Sequence, residues 1–290
     1  MPSPELPLLL PDTAAGVRAR LEQAGLEDPG ADAELLLAHV LGVSRGAVHA
    51  KIILGAELTP GQAAALDAAV ARRAEREPLQ HITGLAPFRT LELEVGPGVF
   101  VPRPETELTA GLAIDHLRTR AEPEPVAVDL GTGSGAIALS MAAEVPHARV
   151  HAVENAPAAY TWARTNLHRT GLDVHLVFGE LDEALPELDG HAGVVVSNPP
   201  YVPEGMVPRT PEVSLHDPAS ALYGGPDGLD VVRRVALRAM RLLVPGGVLV
   251  VEHAEHQGEA VRELFAATGL RAARTHSDLT GRDRVTTALR

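Results

Sequence analysis

Four residues past the middle of the chain, Asn198-Pro199-Pro200-Tyr201, follow the apolar run Val194-Val195-Val196-Ser197. The run reads as a buried strand of a parallel sheet. The tetrad then lies at its carboxyl end, beside the crevice where open α/β sheets bind ligands. Asn198 offers a side-chain acceptor, the proline backbone a carbonyl without a competing N–H, and Tyr201 a ring for stacking. That set suits a planar amide or amine nitrogen, whose two N–H bonds are held by two acceptors. An amide nitrogen is a poor nucleophile because resonance draws its lone pair into the carbonyl. Reaction there needs orientation and stabilisation of the positive charge the nitrogen gains. The competing reading is a Pro-Pro turn that merely follows a strand.

A second constellation is Asp129-Leu130-Gly131-Thr132-Gly133-Ser134-Gly135, between the strand Val126–Leu130 and a helix from Ala136. Glycines there let backbone N–H groups and the helix start approach a ligand closely. With Ala136 the loop also satisfies the permissive dinucleotide fingerprint, so a nicotinamide dehydrogenase is a rival reading. Asp129 tilts the choice toward S-adenosylmethionine. A carboxylate just ahead of the first glycine can attract the donor's ammonium, directly or through water, where dehydrogenases usually have an apolar residue. Glu154 ends the next strand and can accept both ribose hydroxyls, which suits either cofactor.

Positioning these groups takes an alternation of strand and helix: Val126–Leu130, helix from Ala136, Val150–Glu154, helix from Ala158, Val174–Phe178, Val194–Ser197. Helices over Leu229–Leu243 and Glu255–Thr268 and strands over Val248–Glu252, Arg271–His276 and Val285–Leu289 complete a mostly parallel sheet covered on both faces. Ahead of it, Thr13 to about Arg76 reads as small helices, with Val17, Leu21 and Ala24, then Leu35, Leu36, His39 and Val40, at helical spacing. Thr59-Pro60 marks a helix start. Leu91, Leu93 and Val95 alternate with Glu92 and Glu94 as a half-buried strand does. Gly96 to Pro104 is a linker stiffened by three prolines, and Glu105–Arg120 is helical. The expected organisation is a helical domain over 1–84, either a packing module or a substrate-docking domain, a hairpin and linker over 85–104, and a catalytic domain over 105–290.

Composition bounds the function. Lys and Arg number 25 against 38 Asp and Glu, a net charge of −13 that repels nucleic acid over most of the surface. Cysteine is absent, which excludes disulfides and thiolate nucleophiles and fits a reducing cytoplasm. The early apolar run Leu6 to Leu10 contains Pro7 and follows Glu5, so it reads as neither signal peptide nor anchor. Thirteen histidines include no His-Glu-x-x-His pattern, and His253-Ala254-Glu255-His256 has no third ligand nearby, so no metal is expected.

Across nearly all of the chain after Ala31 the sequence resembles the release-factor glutamine-N5 methyltransferases, the HemK/PrmC family. Pro78-Leu79-Gln80 with Ile82-Thr83-Gly84 is similar to the family's inter-domain segment, and Gly96 through Glu107 to its signature linker. Ala221 through Asp230, Pro245-Gly246-Gly247, Asp278-Leu279 and Gly281 through Arg284 extend the likeness. The resemblance implies a class I S-adenosylmethionine-dependent methyltransferase, α/β and Rossmann-like with a mostly parallel seven-stranded sheet, a small N-terminal helical domain and a β-hairpin linker. It implies that the substrate is the glutamine of a Gly-Gly-Gln loop in peptide release factors. The glycine loop (Gly131, Thr132, Gly133, Ser134, Gly135), Asp129 and Glu154 would hold S-adenosylmethionine, with Glu180 and Leu181 at the adenine. Asn198 would touch donor and glutamine, and Pro199, Pro200 and Tyr201 would complete the glutamine pocket. His81 and Leu91 replace aromatics frequent in the family, and Glu180 stands where Asp is usual. A cytoplasmic monomer that binds neither membrane nor nucleic acid directly is expected. Alternative substrates are a ribosomal-protein glutamine and the N6 of DNA adenine, which would require base flipping. A non-catalytic protein-binding module is the non-enzyme alternative.

Overall fold

The computed structural model describes residues 9–290, so residues 6–8 of the early apolar run lie outside the described residues. Five helices come first: α1 (Leu10–Gln23), α2 (Pro29–Leu41), α3 (Arg45–Ile53), α4 (Pro60–Ala74) and α5 (Leu79–Thr83). The hairpin β1 (Leu85–Phe88) and β2 (Leu91–Glu94) leads to α6 (Thr106–Arg118). Then follow β3 (Val126–Leu130), α7 (Ala136–Glu144), β4 (Arg149–Glu154), α8 (Pro157–Thr170), β5 (Val174–Phe178) and β6 (Ala192–Ser197). Two short helices, α9 (Pro211–His216) and α10 (Ala219–Leu222), precede α11 (Asp230–Leu242), β7 (Leu243–Glu252), α12 (Gly258–Ala267), β8 (Arg271–Ser277) and β9 (Asp283–Leu289).

Two units divide the chain, one of residues 1–84 with 209–216, the other of 85–208 with 217–290. In the first, side chains cap the helices: Asp28 and Ser44 accept from Ala31 and Ala47, and Thr59 forms a reciprocal capping box with Gln62. Val17, Leu21, Leu36, Leu37, Leu66 and Val70 form its core. Leu37 takes the inward place that the sequence spacing assigned to Leu35, which is exposed. The stretch 209–216, within the part read from sequence as catalytic, goes with this unit. Glu212 accepts from Arg73 at 2.9 Å and Arg76 at 3.3 Å, and Arg73 also donates to Asp32 at 2.7 Å.

In the second unit the seven-stranded sheet runs β5-β4-β3-β6-β7-β9-β8. The first five strands are parallel, and β9 is antiparallel to both neighbours. The strand order reverses between β3 and β6, the switch point at whose carboxyl ends open α/β sheets bind their ligands. Buried Val, Leu and Ala side chains fill both faces, under α6 and α7 on one side and α11 and α12 on the other. Two boundaries depart most from the sequence reading. β7 starts at Leu243 because it pairs with Ala192 and resumes only at Val194↔Val248; Gly247 packs against Ala192 in that irregular stretch. α12 starts at Gly258 because the side chain of Gln257 accepts from Ala254 N–H and holds a turn ahead of the helix.

Candidate active site

Asp129 is the next-to-last residue of β3, wholly buried. Its Oδ2 accepts from Thr132 Oγ1 at 2.6 Å and Ala138 N at 3.2 Å, while Oδ1 is buried without a partner. Burial pushes its carboxyl up to about 7, against the pull of those two donors. Above it Gly131 and Gly133 have φ of 76° and 59°, and a Cβ on either would meet open space. Such a cradle, with an orphaned acceptor beneath it, fits a cationic ligand laid close to the backbone. Ser134 is buried in the loop, and its carbonyl accepts from Asn166 Nδ2 at 3.0 Å. Gly135 starts α7 in the left-handed region, against Leu139.

Glu154 ends β4 beside this loop. Its Oε2 accepts from Gly133 N at 2.8 Å and its Oε1 from Asn155 and Ala156 N at 3.0 and 2.9 Å. Three of about four acceptor sites are therefore taken by backbone, which leaves room for one hydroxyl without rearrangement. Glu180 is exposed and already engaged by Asn155 Nδ2 at 3.1 Å and Arg234 Nη2 at 2.9 Å. Leu181 is half-buried against the core. At the end of β5, Phe178 leaves about half its surface exposed, opposite Glu154 in register and edge-on to Tyr160.

The tetrad follows β6. Ser197, the strand's last residue, donates from Oγ to Leu130 O at 2.6 Å, stitching the ends of β6 and β3 together. Asn198 Nδ2 donates to Thr106 Oγ1 at 3.2 Å. Pro199 is buried, and Pro200 and Tyr201 are half-buried. Tyr201 donates its hydroxyl to Glu252 Oε1 at 3.4 Å, and its carbonyl accepts from Gln257 Nε2 at 3.0 Å. Burial and the neighbouring Glu252 raise the Tyr201 hydroxyl above its ordinary pKa, so it stays a protonated donor. Gly224 packs so tightly behind Pro200 that a Cβ would sit 2.5 Å from the Pro200 carbonyl oxygen.

Several of these supports escaped the sequence reading. Glu252 ends β7, where Ser197 pairs with Val251, so Asn198 and Glu252 emerge side by side. Glu252 also accepts from Thr109 Oγ1 at 2.9 Å, and the Thr106 hydroxyl lies beside its carboxylate. Burial pushes it up to about 7, opposed by both threonines and the Arg284 charge. Thr106 and Thr109, three residues apart, share one face of α6, the available signal for their pairing. Asn166 is fully buried; it accepts from Glu94 N and donates to Glu94 O and Ser134 O, tying the hairpin to the glycine loop. Arg103 donates to Asp217 at 2.9 Å and lies over the Phe100 ring, holding the linker that delivers α6.

The family described as the PrmC N-terminal domain matches residues 14–84, and the methyltransferase small domain matches residues 90–210. A release factor glutamine methyltransferase of Streptomyces coelicolor is 49% identical over 283 residues, covering 97% of this chain and 98% of that relative. The chain belongs to the release factor glutamine methyltransferase family. Another member, from Bifidobacterium longum, is 46% identical over 288 residues, covering 96% of this chain and 98% of its own. The family's fold extends to solved structures. A Pyrococcus furiosus methyltransferase superposes with a TM-score of 0.50 at 22% identity, covering 69% of this chain and 88% of that one. Among the described residues no single helix is long and apolar enough to cross a membrane, and no cluster of His, Cys, Asp and Glu is arranged to hold a metal.

Proposed function

We infer that this protein transfers the methyl group of S-adenosylmethionine to the side-chain nitrogen N5 of the glutamine in the Gly-Gly-Gln loop of a peptide chain release factor. Membership of the family supports the reaction, and the placement of Asn198 carries the mechanism. S-adenosylmethionine, when bound, supplies an electrophilic methyl on a sulfonium centre. Asp129 and the loop Gly131 to Gly135 would hold its amino-acid portion, Glu154 a ribose hydroxyl, and Phe178, Glu180 and Leu181 would flank the adenine. Glu180 would have to release Asn155 or share its oxygens to accept from the adenine amino group.

At the tetrad, Asn198 presents Oδ1 to the glutamine amide because its Nδ2 is occupied by Thr106. Among the following carbonyls, that of Pro200 faces Gly224 and that of Tyr201 accepts from Gln257, so Pro199 supplies the second acceptor. Two acceptors fix both amide N–H bonds, point the nitrogen's face at the methyl group, and stabilise the charge that develops there. Tyr201 covers the planar group. Asn198→Ala should lower single-turnover methyl transfer roughly 10²–10³-fold at saturating donor, with donor affinity kept. Transfer at the unaltered rate would remove Asn198 from the mechanism. Labelled donor offered to purified release factors, ribosomal proteins and DNA tests the substrate; label on a ribosomal protein or DNA instead of a release factor would overturn the assignment.

The helical unit docks the release factor in this reading. Ile53 and Leu54 stand 84% and 82% exposed at the end of α3, an adjacent apolar pair open to a protein partner. Replacing both with serine should raise KM for the intact factor and leave kcat, and transfer to a short Gly-Gly-Gln peptide, unchanged.

A further inference from the structure

Asn198 is useful only in one of its two amide orientations. With Oδ1 toward the substrate it accepts an N–H bond; turned over, it would aim its own N–H₂ at the substrate's N–H₂. Nothing in a lone asparagine chooses between them, because the two ends have nearly the same shape. The choice therefore lies in whatever faces the other end, which is Thr106 Oγ1 at 3.2 Å.

A threonine hydroxyl has one proton and can face an amide as donor or acceptor. Thr106 is 4% exposed, so its proton must find a protein partner. The acceptor beside it is the carboxylate of Glu252, 2% exposed at the end of the neighbouring strand. An ionised carboxylate is an acceptor only. It takes the Thr106 proton as it takes those of Thr109 and Tyr201, leaving Thr106 only lone pairs to offer Asn198. The direction of each bond is thus imposed from the carboxylate outward: Asn198 must turn Nδ2 to Thr106 and Oδ1 away. Glu252 acts on the tetrad at both ends, on Asn198 through Thr106 and on Tyr201 directly.

We propose that Glu252 and Thr106 are positioning residues that set the amide orientation of Asn198, making the site an acceptor for a side chain bearing N–H bonds. The proposal rests on Asn198 being the acceptor for the glutamine amide. Thr106→Val removes the polar partner at nearly constant volume. Thr106→Ser keeps it. Glu252→Gln lets an amide N–H₂ donate to Thr106, so that the hydroxyl can donate to Asn198 and reverse its orientation.

The test is single-turnover methyl transfer to an intact release factor at saturating donor and factor, at about pH 8.5, above the range in which Glu252 titrates. Each variant is made in the native and the Asn198→Ala backgrounds. Thr106→Val and Glu252→Gln should each slow transfer roughly 10–10²-fold with donor affinity unchanged, and Thr106→Ser should restore it to within about threefold. In the Asn198→Ala background Thr106→Val should add less than about twofold, because it acts through a side chain that is gone, and Glu252→Gln should cost clearly less than in the native background, keeping only what it exerts through Tyr201. Equal losses in both backgrounds, or unimpaired transfer in Thr106→Val and Glu252→Gln, would overturn the proposal. If Asn198→Ala alone transfers at the native rate, the reading beneath it fails instead. If Thr106→Val does not fold, the Glu252→Gln pair decides by the same criterion.

Discussion

Replacing Gly224 by alanine moves the tetrad by an amount that can be worked out. The added Cβ would lie 2.5 Å from the Pro200 carbonyl oxygen, 2.6 Å from the Gly228 carbonyl oxygen and 2.9 Å from the Gly228 carbonyl carbon. Carbon-to-oxygen contacts relax at about 3.3 Å, so the loops must part by roughly 0.8 Å. Both obstacles are backbone, and Gly228 is hemmed in by Gln257, so much of the movement falls on Pro200 and its neighbours. A misplacement near 1 Å costs up to about 10² in rate, which puts the expected loss in transfer at roughly 10- to 10²-fold. Overpacking of this kind should also lower stability by about 1–3 kcal/mol. Gly16→Ala, in the exposed middle of α1 with no atom near its Cβ, is the control and should stabilise by about 0.5–1 kcal/mol. The assay is single-turnover transfer at saturating donor beside a thermal melt and a donor titration. Native transfer by a folded Gly224→Ala protein would mean that the 224–228 loop yields instead, and that Gly224 does not fix the tetrad.

Gly133→Val places a branched side chain in open space above the loop and adds a penalty at φ 59°, so donor affinity measured by calorimetry should fall at least about tenfold while the protein stays folded. Undiminished affinity would place the donor elsewhere. Asp129, raised to about 7, must lose its proton to pair with the donor's ammonium. Affinity should therefore rise with pH below about 7, by up to tenfold per unit, and level off above it. Asp129→Asn should bind more weakly and show a flat profile; an unaltered slope in that variant would exclude Asp129 as its source. The Ile53 and Leu54 double serine variant, read as KM for intact factor against a short peptide, and the Asn198→Ala rate complete the set.

Strand periodicity, the glycine loop and the tetrad were legible because each is local: a run of β-branched residues, a spacing, a strand end. The supports behind them were not, because they are made by register. Glu252 closes an apolar strand and gives no sign that it will emerge beside Asn198; only the pairing of Ser197 with Val251 brings the two together. Thr106 reads as an ordinary helix start until that pairing is known. Asn166 looks like a polar residue on a surface helix, yet it is fully buried with three backbone partners. Segment 209–216 carries no periodicity that assigns it to the helical unit; Glu212 goes there because two arginines do. The apolar exchange of Leu35 for Leu37 shows the limit of spacing alone when neighbouring positions are all leucine.

Methyl transfer to an amide depends on the distance between two groups more than on the strength of either. The glycine loop follows β3 and the tetrad follows β6, hydrogen-bonded neighbours about 4.8 Å apart. Ser197 Oγ to Leu130 O, at 2.6 Å, locks the two strand ends at the point where the loops diverge. In the proposed mechanism the separation of donor from acceptor would thereby be set by the sheet. A buried acid stands at each loop, Asp129 just ahead of the glycine loop and Glu252 beside the tetrad. In the proposed reaction positive charge would pass from sulfur to nitrogen. With both acids ionised, a field negative at both ends would disfavour neither position, and in the proposed mechanism the acceptors of Asn198 and Pro199 would be left to favour the transition state.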